Sequence, residues 1–350
     1  MQDCGRNSAH MHDRANLDEV DLALVNALQI HPRAPWSLIG SVLGIDPVTA
    51  ARRWARLERA GLAWISAYPP TTPTQATAFV ELSCAPGRGV DVARELAADP
   101  QAMTVDVTAG GRDVLVTVST PDPQVLSRYL LERMSRVEHL QQVRSHPAVR
   151  IYTEASRWRL RALDHDQAAR MAWDPGSATG PVSLTDQDWA IAVALAADGR
   201  APVAALAEAA GTSTSTVRRR MARMLASRQL RLRCELARTQ SGWPVYAWFF
   251  ARVPPAHLDD TARALARIPE VRAVTSTAGP QNLILAVWQR SLADVQDLET
   301  HMSRRLPDLD IVDRSIVVRP VKLVGRLLDE RGHATGSVPL DTRRSPGSPS

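Results

Sequence analysis

Cysteine is scarce in this 350-residue chain: Cys4, Cys84 and Cys234 are too few and too far apart for a disulfide framework or a paired zinc motif. Cys4 lies with His10 and His12 in a polar terminal stretch that reads as unstructured, so no metal is assigned. No apolar run approaches the length of a membrane span, and residues 1–16 lack the apolar centre of a signal peptide. A cytoplasmic protein with no membrane partner is expected. GxGxxG, P-loop, HExxH and GxSxG patterns are missing and the nine histidines are scattered, so neither a catalytic residue nor a cofactor is expected. Lysine is almost missing too, Lys322 being the only one. The net charge of +5, which suits an anionic partner, therefore rests on arginine, and where the arginines stand says more than their number.

What is present is a repeat. The length favours two or three domains, and adding 167 to each number aligns residues 17–57 with 184–224 without a gap. Roughly a third of the aligned positions are identical, several times the chance level. Asp21 falls on Asp188, Arg33-Ala34-Pro35 on Arg200-Ala201-Pro202, Gly44 on Gly211, Thr49 on Thr216, and Arg52, Arg53 and Arg56 on Arg219, Arg220 and Arg223. These divide into core, turn and basic face.

Each copy reads as three helices. Leu17, Val20, Leu24, Ala27 and Leu28 form the first stripe, with Asp18 and Glu19 placing negative charge in the opening turn. A short second helix ends at Gly44, and Asp46-Pro47 restarts the chain as cap and first helical residue. The third helix turns Ala50, Trp54 and Leu57 inward and Pro47, Val48, Ala51, Arg52 and Ala55 outward. Its counterpart buries Val217, Met221 and Met224, leaving Ser215, Arg218, Arg219, Ala222 and Arg223 elsewhere. A capped helix with a buried stripe and an arginine face fits a DNA major groove. Asp21 with Arg53, and Asp188 with Arg220, recur on faces able to meet, which leaves an ion pair and a phosphate contact equally open. After Gly61, residues 62–68 alternate as a short strand, the expected wing.

From residue 77 the period changes from 3.6 to 2, in the order βαββαβ of a ferredoxin-like unit, and residues 245–318 repeat that order at an offset of 169. Such a sheet carries helices on one face only, so its bare face must pack against something. The expected organisation is an unstructured 1–16, helix-turn-helix units with wings at 17–68 and 184–238, ferredoxin-like units at 76–153 and 244–322, a linker at 154–183, and a helix at 321–331 within a tail, 323–350, that is otherwise disordered. The fold class is α+β.

These residues resemble the leucine-responsive and asparagine-regulator (Lrp/AsnC) family. The likeness runs through Leu17-Asp18-x-x-Asp21, Leu28, Arg33-Ala34, Gly44, Thr49, Arg52-Arg53, Leu57-Glu58 and Gly61, and again through Leu184, Asp188, Leu195, Arg200-Ala201, Gly211, Thr216-Val217 and Arg219-Arg220. Thr108-x-Gly110-x-x-Asp113 and Thr277-x-Gly279-x-x-Asn282 are similar to that family's effector loop. The resemblance implies a transcription regulator, with double-stranded DNA and an amino-acid-like effector as partners. DNA would be met by Pro47, Val48, Thr49, Arg52, Arg53 and Arg56 of the first head and Ser215, Thr216, Arg218, Arg219, Arg220 and Arg223 of the second; the effector would be met by Gly110, Asp113, Gly279 and Asn282. An ordinary member has one unit and dimerises. This chain looks like two units fused, an internal pseudo-dimer whose bare sheet faces pack together, open to further self-association. Arg112 and Gln281 stand where an aromatic is usual, and Asn282 replaces the acid. Two alternatives use the same architecture: a siroheme-decarboxylase-like enzyme, and an interaction scaffold whose heads no longer bind DNA.

Overall fold

The computed structural model of the chain describes residues 17–68, 72–154, 159–177, 183–341 and 343; the expected unstructured stretch 1–16 and the end of the tail, 344–350, lie outside the described residues. In the first head, Asp18 caps helix α1 (Glu19–Ile30) through a reciprocal pair with Asp21. Helix α2 (Trp36–Leu43) stops at left-handed Gly44, and Asp46 caps α3 (Pro47–Arg59) by accepting from the Val48 and Thr49 amides at 2.8 and 3.3 Å. Leu24, Leu28, Ile39, Ala50 and Leu57 close the core between them. Strand β1 (Ala63–Ala67) follows.

The first sheet unit is β2 (Ala76–Cys84), α4 (Gly89–Ala97), β3 (Ala102–Gly110), β4 (Val114–Thr120), α5 (Pro123–Arg128) and β5 (Leu140–Thr153). Helix α5 is continued by a wider turn, Tyr129–Arg133, and a tighter one, Met134–Arg136. Helix α6 (His165–Met171) then leads to the second head, α7 (Asp186–Ala197), α8 (Val203–Ala209) and α9 (Thr214–Ala226), and to β6 (Leu232–Leu236). The second sheet unit is β7 (Val245–Arg252), α10 (Leu258–Leu265), β8 (Val271–Thr277), β9 (Leu283–Gln289), α11 (Leu292–Arg305) and β10 (Asp310–Leu323), followed by β11 (Arg326–Leu328) and β12 (Ala334–Ser337).

Strict alternation decides which way each strand faces. Ala78, Val80 and Leu82 of β2 meet the helices, while Phe79 turns inward; in β9, Leu283, Leu285 and Val287 meet the helices while Ile284, Ala286 and Trp288 turn inward. The two bare faces do look at each other, and the sheets also join edge to edge. Strand β5 pairs with β2 over its first half and with β8 over its second; β10 pairs with β7 and then with β3. The eight strands β3-β4-β2-β5-β8-β9-β7-β10 therefore close into a ring. Each 14-residue strand is long enough to serve both units.

The heads are joined as well. Strand β1, expected as a wing, pairs antiparallel with β6 of the other head, Ile65 opposite Cys234. Arg33 donates to the carbonyls of Gly199 and Ala201 at 2.7 and 2.9 Å, and Arg200 donates to those of Pro32 and Ala34 at 2.8 and 3.0 Å. The arginine that looked like a turn residue in both copies is a reciprocal clasp. Burial, then the nearby Arg33, pushes the Arg200 guanidinium down to about 10.

Two sequence expectations are corrected. Part of the expected linker is docked on the first head: Met171 is buried there, Leu160 and Leu163 pack beside it, and the Asn26 side chain accepts from the Ala162 and Leu163 amides. Residues 178–182 of that linker lie outside the described residues. The helix expected over 321–331 is instead the end of β10, a turn through Val324 and Gly325 at positive φ, and β11; β12 and the buried Leu340 continue the ordered chain. Cross-strand pairing of Lys322 and Leu323 with β3 overrides the local pattern. Lys322, the single lysine, is fully buried and donates to the Asp99 carbonyl at 2.8 Å; burial pushes it down to about 7.

Gly44 and Gly61 both hold left-handed φ, 68° and 66°. A Cβ at Gly44 would meet open space, whereas one at Gly61 would sit 2.3 Å from the Ala334 carbonyl oxygen. Gly44→Ala is expected to cost about 1 kcal/mol and Gly61→Ala about 3 kcal/mol, the second through loss of the β12 contact, as read from urea unfolding midpoints.

Candidate nucleic-acid interface

The two third helices have the same skeleton. Ala50, Trp54 and Leu57 of α3, and Val217 and Met224 of α9, are buried, which fixes which side faces out. Ser213 caps α9 by accepting from the Thr216 amide at 3.2 Å, and its hydroxyl also lies 2.9 Å from that of Ser215. Pro47, Val48, Arg52, Ser215, Arg218 and Arg219 are exposed, Val48 to 74%; Thr49 and Thr216 are half-buried at the first turn of their helices.

The arginines separate into two kinds. Arg53 donates to Asp18 and Asp21 at 2.7 and 2.9 Å, and Arg56 to Asp21 at 2.5 Å. In the second head Arg220 and Arg223 both reach Asp188, at 3.1 and 3.0 Å. The two aspartates are almost wholly buried, at 1% and 0% exposure, so their charge needs these partners. Arg53, Arg56, Arg220 and Arg223 thus tie the third helix to the first. Arg52, Arg218 and Arg219 point outward and make no ion pair among the described residues. Arg218 has no counterpart in the first head, where Ala51 stands at the matching position.

The effector-loop residues lie at the ends of strands, away from the third helices. Asp113 accepts from the Cys84 amide at 2.7 Å, and Asn282 both accepts from and donates to the Val253 backbone, at 2.9 and 2.8 Å. Their side chains therefore hold the loop to its sheet. Gly110 and Gly279 take φ of 129° and 151° beside the facing unit. Arg112 fills the space at the first loop: it pairs with Glu81 at 2.8 Å and with Asp313, donates to Ser315 at 2.5 Å, and lies 3.9 Å above the Phe250 ring. Glu81 also meets His146 at 2.5 Å; burial raises the Glu81 carboxyl, but His146 and Arg112 together hold it below its usual range. A pocket of about 490 Å³ lies beside this cluster, with Arg144, His146, Gly279 and Gln281 on one side and Glu81, Arg112 and Asp313 on the other, so Arg112 itself lines it.

Sequence reasoning passed over a second set of arginines. Arg231 and Arg233 alternate with Glu235 on one face of the second head's strand, and with Arg238 and Arg272 they surround the ring's interior. Charged residues at period 2 in a strand that cannot face water were the available signal. Among the described residues no cluster of three or more His, Cys, Asp or Glu is arranged to hold a metal, and no helix is long and apolar enough to cross a membrane.

Two capped helix-turn-helix heads, clasped together and set on a ring of two ferredoxin-like sheets, define a duplicated α+β protein of the helix-turn-helix class. Residues 17–58 and 184–225 match the AsnC-type helix-turn-helix domain, and residues 77–158 and 248–327 match the Lrp/AsnC ligand binding domain. These matches cover well over half of the sequence: the chain belongs to the Lrp/AsnC family of transcriptional regulators, as two units in tandem. Uncharacterized HTH-type transcriptional regulator PH0140 of Pyrococcus horikoshii is 26% identical over 150 residues, which span 41% of this chain and 91% of that protein. HTH-type transcriptional regulator FL11 of the same organism is 27% identical over 122 residues, 33% of this chain and 80% of that one. The crystal structure of the siroheme decarboxylase NirDL matches both units at once, with a TM-score of 0.55 and 14% identity over 90% of this chain and 96% of that one, a likeness of fold.

Asp188 offers a direct check on the tie between helices. Burial raises its carboxyl pKa, but the Thr185 amide and hydroxyl and then Arg220 bring it net below the usual value. A carboxylate held low in the folded state contributes stability that is complete above about pH 4 and is lost as pH falls through the folded value. Asp188→Asn is expected to lower stability at pH 7 by about 2–4 kcal/mol and to flatten the loss below pH 4, measured by urea unfolding across a pH series.

Proposed function

We propose that this regulator is a cytoplasmic, sequence-specific binder of double-stranded DNA whose α3 and α9 enter major grooves of one duplex, a helical turn or a multiple of it apart. The observation that carries this reading is the outward, unpaired arginine face, Arg52 on α3 and Arg218 with Arg219 on α9. With the inner arginines held by Asp21 and Asp188, these three are the ones free to meet phosphate or the O6/N7 edge of guanine. Val48, Thr49, Ser215 and Thr216 lie beside them at the helix starts. The structural tie does not remove Arg53, Arg56, Arg220 and Arg223 from the duplex; their role is to set the angle of the helix that meets it. An exposed basic face also argues against a scaffold that no longer binds DNA.

An amino-acid-like effector would enter the pocket between the Gly279 loop and Arg112, where the Arg112 and Arg144 guanidiniums stand ready for its carboxylate. To act, it must favour one arrangement of the heads, since equal affinity for two arrangements shifts nothing. Further copies of the chain would associate through the sheet units, as the resemblance implies.

A second reading, an enzyme acting on siroheme, has one observation behind it: NirDL shares the two-unit architecture. An anionic tetrapyrrole in such a site would call for histidine together with arginine. The side chains lining the ring's interior include arginines but no histidine, and a decarboxylase has no use for arginines on α9. Incubation with siroheme is expected to leave its absorbance and mass unchanged; release of carbon dioxide would establish the enzyme instead.

Arg218→Ala with Arg219→Ala is expected to weaken DNA binding and to reduce the slope of log affinity against log salt by about 0.9 for each lost phosphate contact, measured by fluorescence anisotropy between 50 and 200 mM salt. An unchanged slope would remove both residues from the interface. Duplexes for that assay come from selection on random DNA, which is expected to return two unlike half-sites, because Ala51 and Arg218 differ between the heads.

A further inference from the structure

The ring formed by the eight strands encloses a cavity of about 670 Å³, well within the range that holds small organic ligands. It is separate from the Gly279 pocket and lies on the side of the ring that faces the β1–β6 pair, whose Trp64, Tyr68, Arg231 and Arg233 help to line it. One part of its wall is aromatic. Tyr246, Trp248 and Trp288 stand on adjacent strands, with the Tyr246 ring 5.5 Å from Trp248 and 6.4 Å from Trp288, and Phe79 meets Trp248 edge-on at 5.6 Å.

The rest of the wall is cationic. Arg150, Arg231, Arg233, Arg238, Arg272 and Arg331 line the cavity, against only two carboxylates, Glu154 and Glu330. Arg150 is answered from outside by Asp259 at 2.7 Å, and the exposed Glu330 is taken by Arg319 at 3.1 Å. Deeper in, Arg231 meets Glu154 at 2.7 Å, while Glu235 serves both Arg233 and, at 3.5 Å, Arg272. Arg238 reaches the Val317 carbonyl at 3.5 Å and makes no ion pair among the described residues. The remaining carboxylate nearby is Asp106, which accepts from the Trp248 indole at 3.0 Å; burial pushes it up to about 7, so near neutral pH it carries only part of its charge. Among the described residues, Glu154 and Glu235 serve three of the four inner guanidiniums, and Asp106 stands beside the fourth.

We propose that this cavity is a binding site for a small organic acid with a flat apolar body, its anionic group meeting Arg233, Arg238 and Arg272 and its body lying against Tyr246, Trp248 and Trp288. Arginines outnumber carboxylates on this wall, and guanidinium forks suit carboxylate or sulfonate oxygens. Arg272, 3.6 Å over the Trp288 ring, sits where the two kinds of wall meet. The inference goes beyond DNA binding, and its test uses no DNA, so either can fail alone.

The test compares two dyes with the same naphthyl and phenyl rings on the purified full-length chain. One is 8-anilinonaphthalene-1-sulfonate, whose sulfonate stands in for the carboxylate, and the other is uncharged N-phenyl-1-naphthylamine. The charged dye is expected to bind at one site per chain at least tenfold more tightly than the neutral one. Arg238→Gln should reduce that preference at least fivefold, and Ala286→Phe, which adds a ring inside the cavity, should weaken both dyes at least tenfold. Equal affinities in the unmodified protein, or full binding in a folded Ala286→Phe variant, would overturn the proposal. The first comparison needs no variant and stands whether or not the substitutions fold.

Discussion

Everything in this structure depends on two strands being long enough to belong to both halves. A ferredoxin-like sheet on its own leaves a naked face and two open edges, and both are costly. Here β5 and β10 each run 14 residues, pair with their own unit first and then with the other, and so remove all four edges at once. The naked faces become the inside of a ring. What they enclose is then decided by individual side chains: an aromatic cluster on β7 and β9, and guanidiniums supplied by β6, β8 and the turn after β6.

The heads obey the same logic on a smaller scale. Pairing β1 with β6 covers two short strand edges, and the exchange of Arg33 and Arg200 hydrogen bonds fills backbone acceptors that a single head would leave to water. Inside each head one buried aspartate gathers arginines from the third helix, so the helix is oriented by charge as well as by its apolar stripe. The joint between heads and the orientation of the third helices are therefore fixed by different interactions.

Much of this was legible in the amino-acid order. The repeat located both heads and both sheet units; Gly44 as a left-handed stop and Asp46 as a cap are where the local rules put them. Other features were hidden because they depend on a partner distant in the chain. Period 2 shows which residues of β5 share a face but not that the strand changes neighbours at Ala148. Arg33 and Arg200 sit in a sequence that spells a turn, and only the apposed head reveals acceptors for them. The residues after 321 carry a helical pattern, and their pairing with β3, more than 200 positions earlier, leaves no local trace. Among the arginines of α3 and α9, the sequence could not say which ones the aspartates would claim.

The closing strand of the ring comes late in the chain. During synthesis, the outer edge of β3 and the far half of β5 have no partners until some 120 or more further residues have left the ribosome, since β8 spans Val271–Thr277 and β10 Asp310–Leu323. The first sheet unit must therefore wait half-finished, with two hydrogen-bonding edges open to any passing strand. A separate two-chain dimer faces this hazard at every encounter between subunits, and its success varies with concentration; fusion exchanges that dependence for a delay set by chain length. The tether also frees the halves from having to match, so one pocket can take Arg112 from the first unit and Gln281 from the second.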